Sequence, residues 1–326
     1  MVGQVVFALF ILVLGFVLLM KGADFFVEGS SSIAKQFRIP GLVIGMTIVA
    51  MGTSLPELAV SLTASISHNN SLAISNVVGS NIFNLMIVLG VSAIISSLYV
   101  SDIVVKRDFP FSVVCAILLM IFGYFGMKLN RWEGVIFLVL FVLFLFVMLH
   151  HTMKSRKEGL ETEVEVVEEA EIESEIKILP TWRSLLYIVA GMVAIHFGGD
   201  WVVEQATYFA KLFGVSETLI GLTIVACGTS LPELVTSIAA AKKKELDMAV
   251  GNVVGSNIFN IIFILGISAT ITPVGFINEN LMDIVVLLVF SLIVWLFSKT
   301  KHKLGKKEGI AMIILYVIYL VYICMR

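Results

Sequence analysis

Two glutamates, Glu57 and Glu233, each close a hexapeptide Gly-Thr-Ser-Leu-Pro-Glu roughly midway along an apolar stretch. A charged side chain at the centre of a bilayer costs at least about 2.5–3.5 kcal/mol, so an acid there is read as functional until a structural partner is found. The same hexapeptide brings the hydroxyls of Thr53, Ser54, Thr229 and Ser230. Its proline lacks an N–H, so Pro56 and Pro232 should free the carbonyls of Gly52 and Gly228 and break the helix there, with glycine loosening the same turn. A second block, Asn-Val-Val-Gly-Ser-Asn-Ile-Phe-Asn, runs over 76–84 and again over 252–260. It offers Ser80 and Ser256 and, four residues later on the same helical face, Asn84 and Asn260. All of these are hard oxygen donors. Calcium takes 6–8 oxygens in flexible geometry, two carboxylates match its charge, and magnesium fits less well because it dehydrates reluctantly. No His or Cys recurs with the blocks, which argues against zinc, copper or iron. Asn81 and Asn257 read equally well as helix-packing residues.

The positions of these residues point to a duplication. Residues 44–57 read IGMTIVAMGTSLPE and residues 220–233 read IGLTIVACGTSLPE, identical at 12 of 14 positions and separated by 176. The second block keeps that separation, so nothing has been gained or lost between the two. Upstream, Gly22, Asp24, Val27 and Glu28 correspond to Gly198, Asp200, Val203 and Glu204; downstream, Glu133-Gly134 corresponds to Glu308-Gly309 with a shift of one. Asp24 and Asp200 lie near helix ends and suit interfacial or capping roles. His196 faces Met20 in the correspondence and reads as a local polar contact, and Cys227 faces Met51 and reads as a packing residue.

The elements that must carry the blocks are membrane helices. The chain is 59% hydrophobic and 14% charged, with a mean hydropathy of +1.01, which excludes a soluble domain. A helix needs roughly 20 apolar residues to cross, and the runs are too continuous for an outer-membrane barrel. Ten crossings are predicted, at 4–27, 42–66, 72–95, 109–127, 132–153, 182–208, 218–241, 247–271, 281–297 and 309–323. They divide into repeats over 1–153 and 181–326, joined by an acidic linker over 154–180 that carries nine glutamates and reads as a solvated face. Lysines and arginines concentrate in alternate connections, among them Lys35, Lys106, Lys154, Lys243 and Lys303. This bias puts both termini outside and the linker in the cytoplasm. Five helices per repeat is an odd number, so the second repeat must run inverted, the architecture of secondary transporters with a site near the midplane. The first helix reads as retained rather than as a signal peptide. A net charge of −2 gives no pull towards nucleic acid. Three scattered cysteines form neither a disulfide framework nor a zinc spacing.

On these residues the chain resembles the sodium/calcium exchanger branch of the calcium/cation antiporter superfamily, in its prokaryotic type. The resemblance covers nearly the whole chain and implies ten helices in two inverted halves, with calcium exchanged for sodium and no cofactor beyond the transported ions. It implies ligands from Glu57, Thr53, Ser54, Ser80, Asn84 and the carbonyl of Ala50, and from Glu233, Thr229, Ser230, Ser256, Asn260 and the carbonyl of Ala226. It also implies alternating access by sliding of the first and sixth helices. Where such exchangers often carry an aspartate, this chain has Asn260, one acid fewer, which leaves the counter-ion and stoichiometry open. The large cytoplasmic regulatory domains of animal exchangers are absent from this sequence. The expected surroundings are the cell membrane and its lipid, and a monomer is compatible with the pattern. Three rival readings remain at this point: a calcium/proton antiporter on the same fold; a membrane serine hydrolase using Ser54 or Ser230, which lacks a repeated base; and a passive channel.

Overall fold

A computed structural model describes residues 2–66, 70–158, 178–214 and 226–325 of the chain. The architecture is all-helical apart from two short strand pairs. Helix α1 (Val2–Phe37) is followed by a broken element made of α2 (Gly41–Ile44), a π turn (Gly45–Val49), α3 (Ala50–Thr53) and α4 (Leu55–Ile66). Then come α5 (Asn70–Phe83), a π turn (Asn84–Val88), α6 (Leu89–Ile95), a π turn (Val104–Asp108), α7 (Phe109–Gly126) and α8 (Arg131–Glu158). The second half has α9 (Thr181–Leu212), α10 (Ala226–Gly228), α11 (Leu231–Lys242), α12 (Leu246–Ile258), a π turn (Phe259–Ile264) and α13 (Leu265–Ile271). It ends with α14 (Asn278–Lys301) and α15 (Lys306–Met325).

Among the described residues eight helical spans are long and apolar enough to cross a membrane, and the broken element over α2–α4, bent by 48°, makes a ninth if it crosses as one span. The predicted span 218–241 lies partly outside the described residues; its described part is α10 and α11. Most helices outrun their apolar cores, α1 by ten residues beyond the predicted end. The end of α1 is packed rather than solvated, with Ser30, Ser32 and Ala34 buried and Lys35 3.6 Å from Glu245. Helix α8 continues to Glu158, five residues into the stretch read as linker.

Two spans form the centre. The spans Leu72–Ile95 and Leu246–Ile271 are 72% and 78% buried along their most apolar stretch, against 17–39% for the other six continuous spans. They contain the repeated Asn-Val-Val-Gly-Ser-Asn-Ile-Phe-Asn blocks, so the sequence most rich in polar side chains lies deepest. The outer helices turn Phe10, Phe16, Phe125, Phe146 and Val142 outward, as lipid-facing helices must.

Short strands staple the ends of the bundle. β1 (Leu98–Tyr99) pairs antiparallel with β4 (Lys303–Leu304), and β2 (Lys128–Leu129) with β3 (Val274–Gly275). Val100 N donates to His302 O at 2.9 Å and Phe276 N to Met127 O at 2.8 Å, which extends each pair. The Glu133-Gly134 and Glu308-Gly309 dipeptides, unexplained by sequence alone, close helix starts. Glu133 accepts from Asn130 N at 2.5 Å and Glu308 from Gly305 N at 3.0 Å, capping the first turns of α8 and α15. Each glycine then admits a close neighbour: a Cβ on Gly134 would stand 2.7 Å from Gly266 O, and one on Gly309 2.5 Å from Gly90 O.

Helices α1 and α9 pack against each other along a seam of small residues. A Cβ on Gly22 would lie 2.9 Å from Gly191 O, one on Gly191 2.6 Å from Phe26 N, and one on Gly198 2.7 Å from Leu19 N. These obstacles are backbone atoms that cannot rotate away, and small residues of this kind let membrane helices approach closely. Gly191→Leu should therefore force the pair apart, at an overpacking cost of about 1–3 kcal/mol. A lowered unfolding temperature in detergent, beside an unchanged one for Gly3→Leu at an open position, would show it.

Candidate cation-binding site

The break at the hexapeptide is where proline chemistry puts it. Helix α3 ends at Thr53, Ser54 leaves helical geometry at φ −83°, ψ 12°, and α4 resumes at Leu55 with Pro56 in its first turn. In the second half Ser230 holds the matching conformation, φ −93°, ψ 7°, and α11 starts at Leu231 with Pro232 in its first turn. Glu57 and Glu233 thus sit in the first turn of a helix, at the positive end of its dipole.

Both carboxylates are fully buried, and each is held by the other half of the chain. Ser54 Oγ donates to Glu233 Oε1 at 2.7 Å, while Ser230 Oγ donates to Glu57 Oε1 at 3.0 Å. Ser80 Oγ adds a second bond to Glu57 Oε1 at 3.3 Å. The second oxygen of each carboxylate, Glu57 Oε2 and Glu233 Oε2, has no hydrogen-bond partner. Asn84 Oδ1, Asn260 Oδ1 and Thr229 Oγ1 are buried and equally unpartnered. Other unpartnered buried atoms, such as those of Ser65 and Thr236, are hydroxyls, whereas Glu57, Glu233, Asn84 and Asn260 each leave a pure acceptor oxygen unpaired, and buried acceptors of that kind need an explanation. Bare oxygens, two of them carboxylate, are what a dehydrated cation requires.

The remaining expected residues fall around this core. Ser256 Oγ donates to the carbonyl of Ala50 at 3.4 Å, so that carbonyl faces α12. The match between halves is incomplete here, because Ser80, its counterpart, turns to a carboxylate instead. Thr53 Oγ1 lies 3.3 Å from Ala50 O and 3.2 Å from Asn252 Oδ1. Ala226 opens α10, at the margin of the described residues. Asn84 begins one π turn and Asn260 lies within the other. A π turn inserts an extra residue, re-aims the side chains at it, and is frequent at functional sites.

Sequence reasoning missed a supporting layer. Asn76 Nδ2 bonds Ser61 Oγ at 3.0 Å and Glu57 O at 3.3 Å; Asn252 Nδ2 bonds Ser237 Oγ at 2.9 Å and Glu233 O at 3.3 Å. These bonds fix the helices that carry the glutamates to the central pair. The signal was available: Ser61 and Ser237 are also 176 apart, outside both named blocks. The hydrolase reading fails on geometry, since Ser54 and Ser230 give their protons to carboxylates across the interface and, among the described residues, no imidazole or amine is hydrogen-bonded to either.

The chain is an all-helical membrane bundle that carries a pair of buried carboxylates, and its relatives are exchangers rather than enzymes. The family profile described as sodium/calcium exchanger protein matches residues 7–150 and 183–325. The sodium/calcium exchanger MaX1 of Methanosarcina acetivorans is 34% identical over 338 residues, covering 95% of this chain and 97% of its own length. The inner membrane protein YrbG of Escherichia coli is 35% identical over 291 residues, covering 87% and 88%. A solved structure of the sodium-calcium exchanger NCX_Mj, soaked with sodium and strontium, superposes with a TM-score of 0.82 at 33% identity, covering 97% of this chain and 98% of that one. The chain belongs to the sodium/calcium exchanger family.

Proposed function

We propose that the chain is a secondary active antiporter that exchanges calcium for sodium across the cell membrane by alternating access. The observation that carries this reading is the crossed pair of buried carboxylates, each held by the opposite serine through one oxygen and presenting the other unpartnered. Calcium is the cargo, held by Glu57, Glu233, Asn84 and Asn260, with Thr53, Ser54, Ser80, Thr229, Ser230, Ser256 and the carbonyls of Ala50 and Ala226 around them. No resident cofactor is needed. Two carboxylates can be neutralised by one divalent ion or by two monovalent ions. If the empty, doubly negative site cannot reorient across lipid, only exchange results.

The scaffold for this exchange is ten crossings in two inverted five-helix repeats, residues 1–153 and 181–326. Reciprocal contacts support that reading. Under the 176-residue shift the β1·β4 pair maps onto β3·β2, Gly90 against Gly309 maps onto Gly266 against Gly134, and the two crossed serine bonds map onto each other, with a one-residue adjustment near each repeat's end. The strand pairs also support the alternation of sides along the chain, on which the lysine and arginine bias puts the termini outside and the acidic linker in the cytoplasm. Each pair joins two connections that the lysine and arginine bias assigns to one side. The pair α1·α9, joined by its glycine seam, is the body that slides to expose the site alternately.

The test is calcium uptake into liposomes holding the purified protein, loaded with sodium and diluted into sodium-free buffer. Uptake that requires the sodium gradient is expected. Uptake driven instead by an imposed pH gradient would assign proton coupling, since Asn260 leaves the counter-ion open. Flux without any counter-ion would assign a channel. A graded effect tests the crossed bonds. Ser230→Ala removes a hydrogen bond to a charged group, worth about 1.5–3 kcal/mol, and should raise the calcium concentration for half-maximal uptake roughly 10- to 100-fold. Ser54→Ala should act likewise through Glu233.

A further inference from the structure

The four asparagines at the central crossing are joined by hydrogen bonds with a fixed direction. Asn81 Nδ2 donates to the backbone carbonyl of Asn257 at 3.0 Å, and Asn257 Nδ2 donates to the backbone carbonyl of Asn81 at 3.2 Å. A carbonyl can only accept, so each of these two side chains must turn its NH2 group to the backbone of the other helix. Their oxygens are then committed to the opposite side. There, Asn257 Oδ1 accepts from Asn84 Nδ2 at 3.2 Å, and Asn81 Oδ1 accepts from Asn260 Nδ2 at 3.0 Å. Asn84 and Asn260 in turn have no freedom to flip, because their NH2 groups are already engaged. What they leave bare is Oδ1, unpartnered in both halves. All four side chains are buried, so no water competes for these bonds at low exchange cost.

We propose that Asn81 and Asn257 are positioning residues for cation transport, which use two backbone carbonyls as a reference to force the oxygens, not the nitrogens, of Asn84 and Asn260 towards the ion. An inverted carboxamide would aim two partially positive hydrogens at a cation, so the sense of the amide decides whether the asparagine is a ligand or an obstacle. Helix packing alone does not account for the arrangement. A packing contact between the two central helices needs the carbonyl bonds, but not the further hand-over from each Oδ1 to the amide of the ligand-bearing asparagine. The inference rests on the reading of Asn84 and Asn260 as ligands.

The test is the calcium concentration for half-maximal uptake in the same liposomes for Asn257→Leu, Asn84→Ala, the double variant and Asn257→Asp. Outer partners that orient metal ligands typically change affinity 10- to 100-fold when removed, so Asn257→Leu should raise the half-maximal calcium by roughly that factor. In the double variant it should add nothing to the effect of Asn84→Ala, because its action passes through that side chain. Asn257→Asp loses the donor to Asn81 O but can offer Asn84 only acceptors, so half-maximal calcium should not rise. A merely structural clamp predicts the reverse: Asp as harmful as Leu, and a loss that adds in full to that of Asn84→Ala. Either of those results would overturn the proposal. No effect of Asn84→Ala alone would remove the ligand reading itself, and the positioning role with it. Should Asn257→Leu not fold, Asn257→Asp and the mirror variants Asn81→Leu and Asn260→Ala carry the same comparison.

Discussion

Glu57→Gln and Glu233→Gln should each abolish sodium-driven calcium uptake while leaving the protein folded. Glutamine keeps the shape of the side chain and an oxygen for the opposite serine, so the crossed bonds from Ser230 and Ser54 survive. What is lost is one of two charges at a site removed from water. Taking one partner from a buried ion pair typically costs about 3–5 kcal/mol, which is a factor of roughly 10² to 10³ or more in calcium affinity. The variants should unfold at temperatures no lower than the parent, because two adjacent buried carboxylates repel and each substitution relieves that repulsion. A variant that transports calcium at the parent's half-maximal concentration would sink the paired-carboxylate account. One that aggregates would be replaced by its Glu→Gln mate in the other half, which faces the same test.

The second large effect is expected at Gly255, immediately before Ser256. A Cβ there would stand 2.6 Å from Met46 Cα, 2.8 Å from Met46 O and 3.0 Å from Ala50 Cβ. The obstacles belong to the π turn and α3 of the broken element, whose backbone leads directly to Thr53 and Ser54. Gly255→Val must push α12 away from this segment, at about 1–3 kcal/mol of overpacking or more. Ser256 would then part from Ala50 O and the crossed serine bonds would lengthen. Loss of calcium uptake together with a fall in unfolding temperature is expected. A normal transporter would show that the close crossing is not needed to assemble the site.

Much of this arrangement is legible in the sequence, for identifiable reasons. Proline removes a helix hydrogen bond wherever it occurs, so the breaks at Ser54 and Ser230 could be read from Pro56 and Pro232. Depth in the membrane makes a carboxylate conspicuous, so Glu57 and Glu233 stood out against apolar flanks. The partners of those glutamates were less legible. That Ser54 serves Glu233 and not its own neighbour Glu57 follows from how two halves cross, which no local pattern encodes. The π turns at Asn84 and Asn260 are invisible for a similar reason: an extra residue in one turn follows from how the helices pack rather than from a composition signal. Asn81 and Asn257 repeat as faithfully as the ligand candidates, but repetition does not tell a packing residue from an orienting one. Only the direction of their hydrogen bonds does.

Equilibrium binding of radiolabelled calcium to the purified protein, in sodium-free buffer and then with rising sodium, tests the central claim most directly. The account predicts one calcium held between the two halves, displaced by sodium, with binding lost in Glu57→Gln and in Glu233→Gln alike. Calcium bound with unchanged affinity by a Glu57→Gln, Glu233→Gln double variant would contradict it, and would move the cation site away from the repeated glutamates altogether.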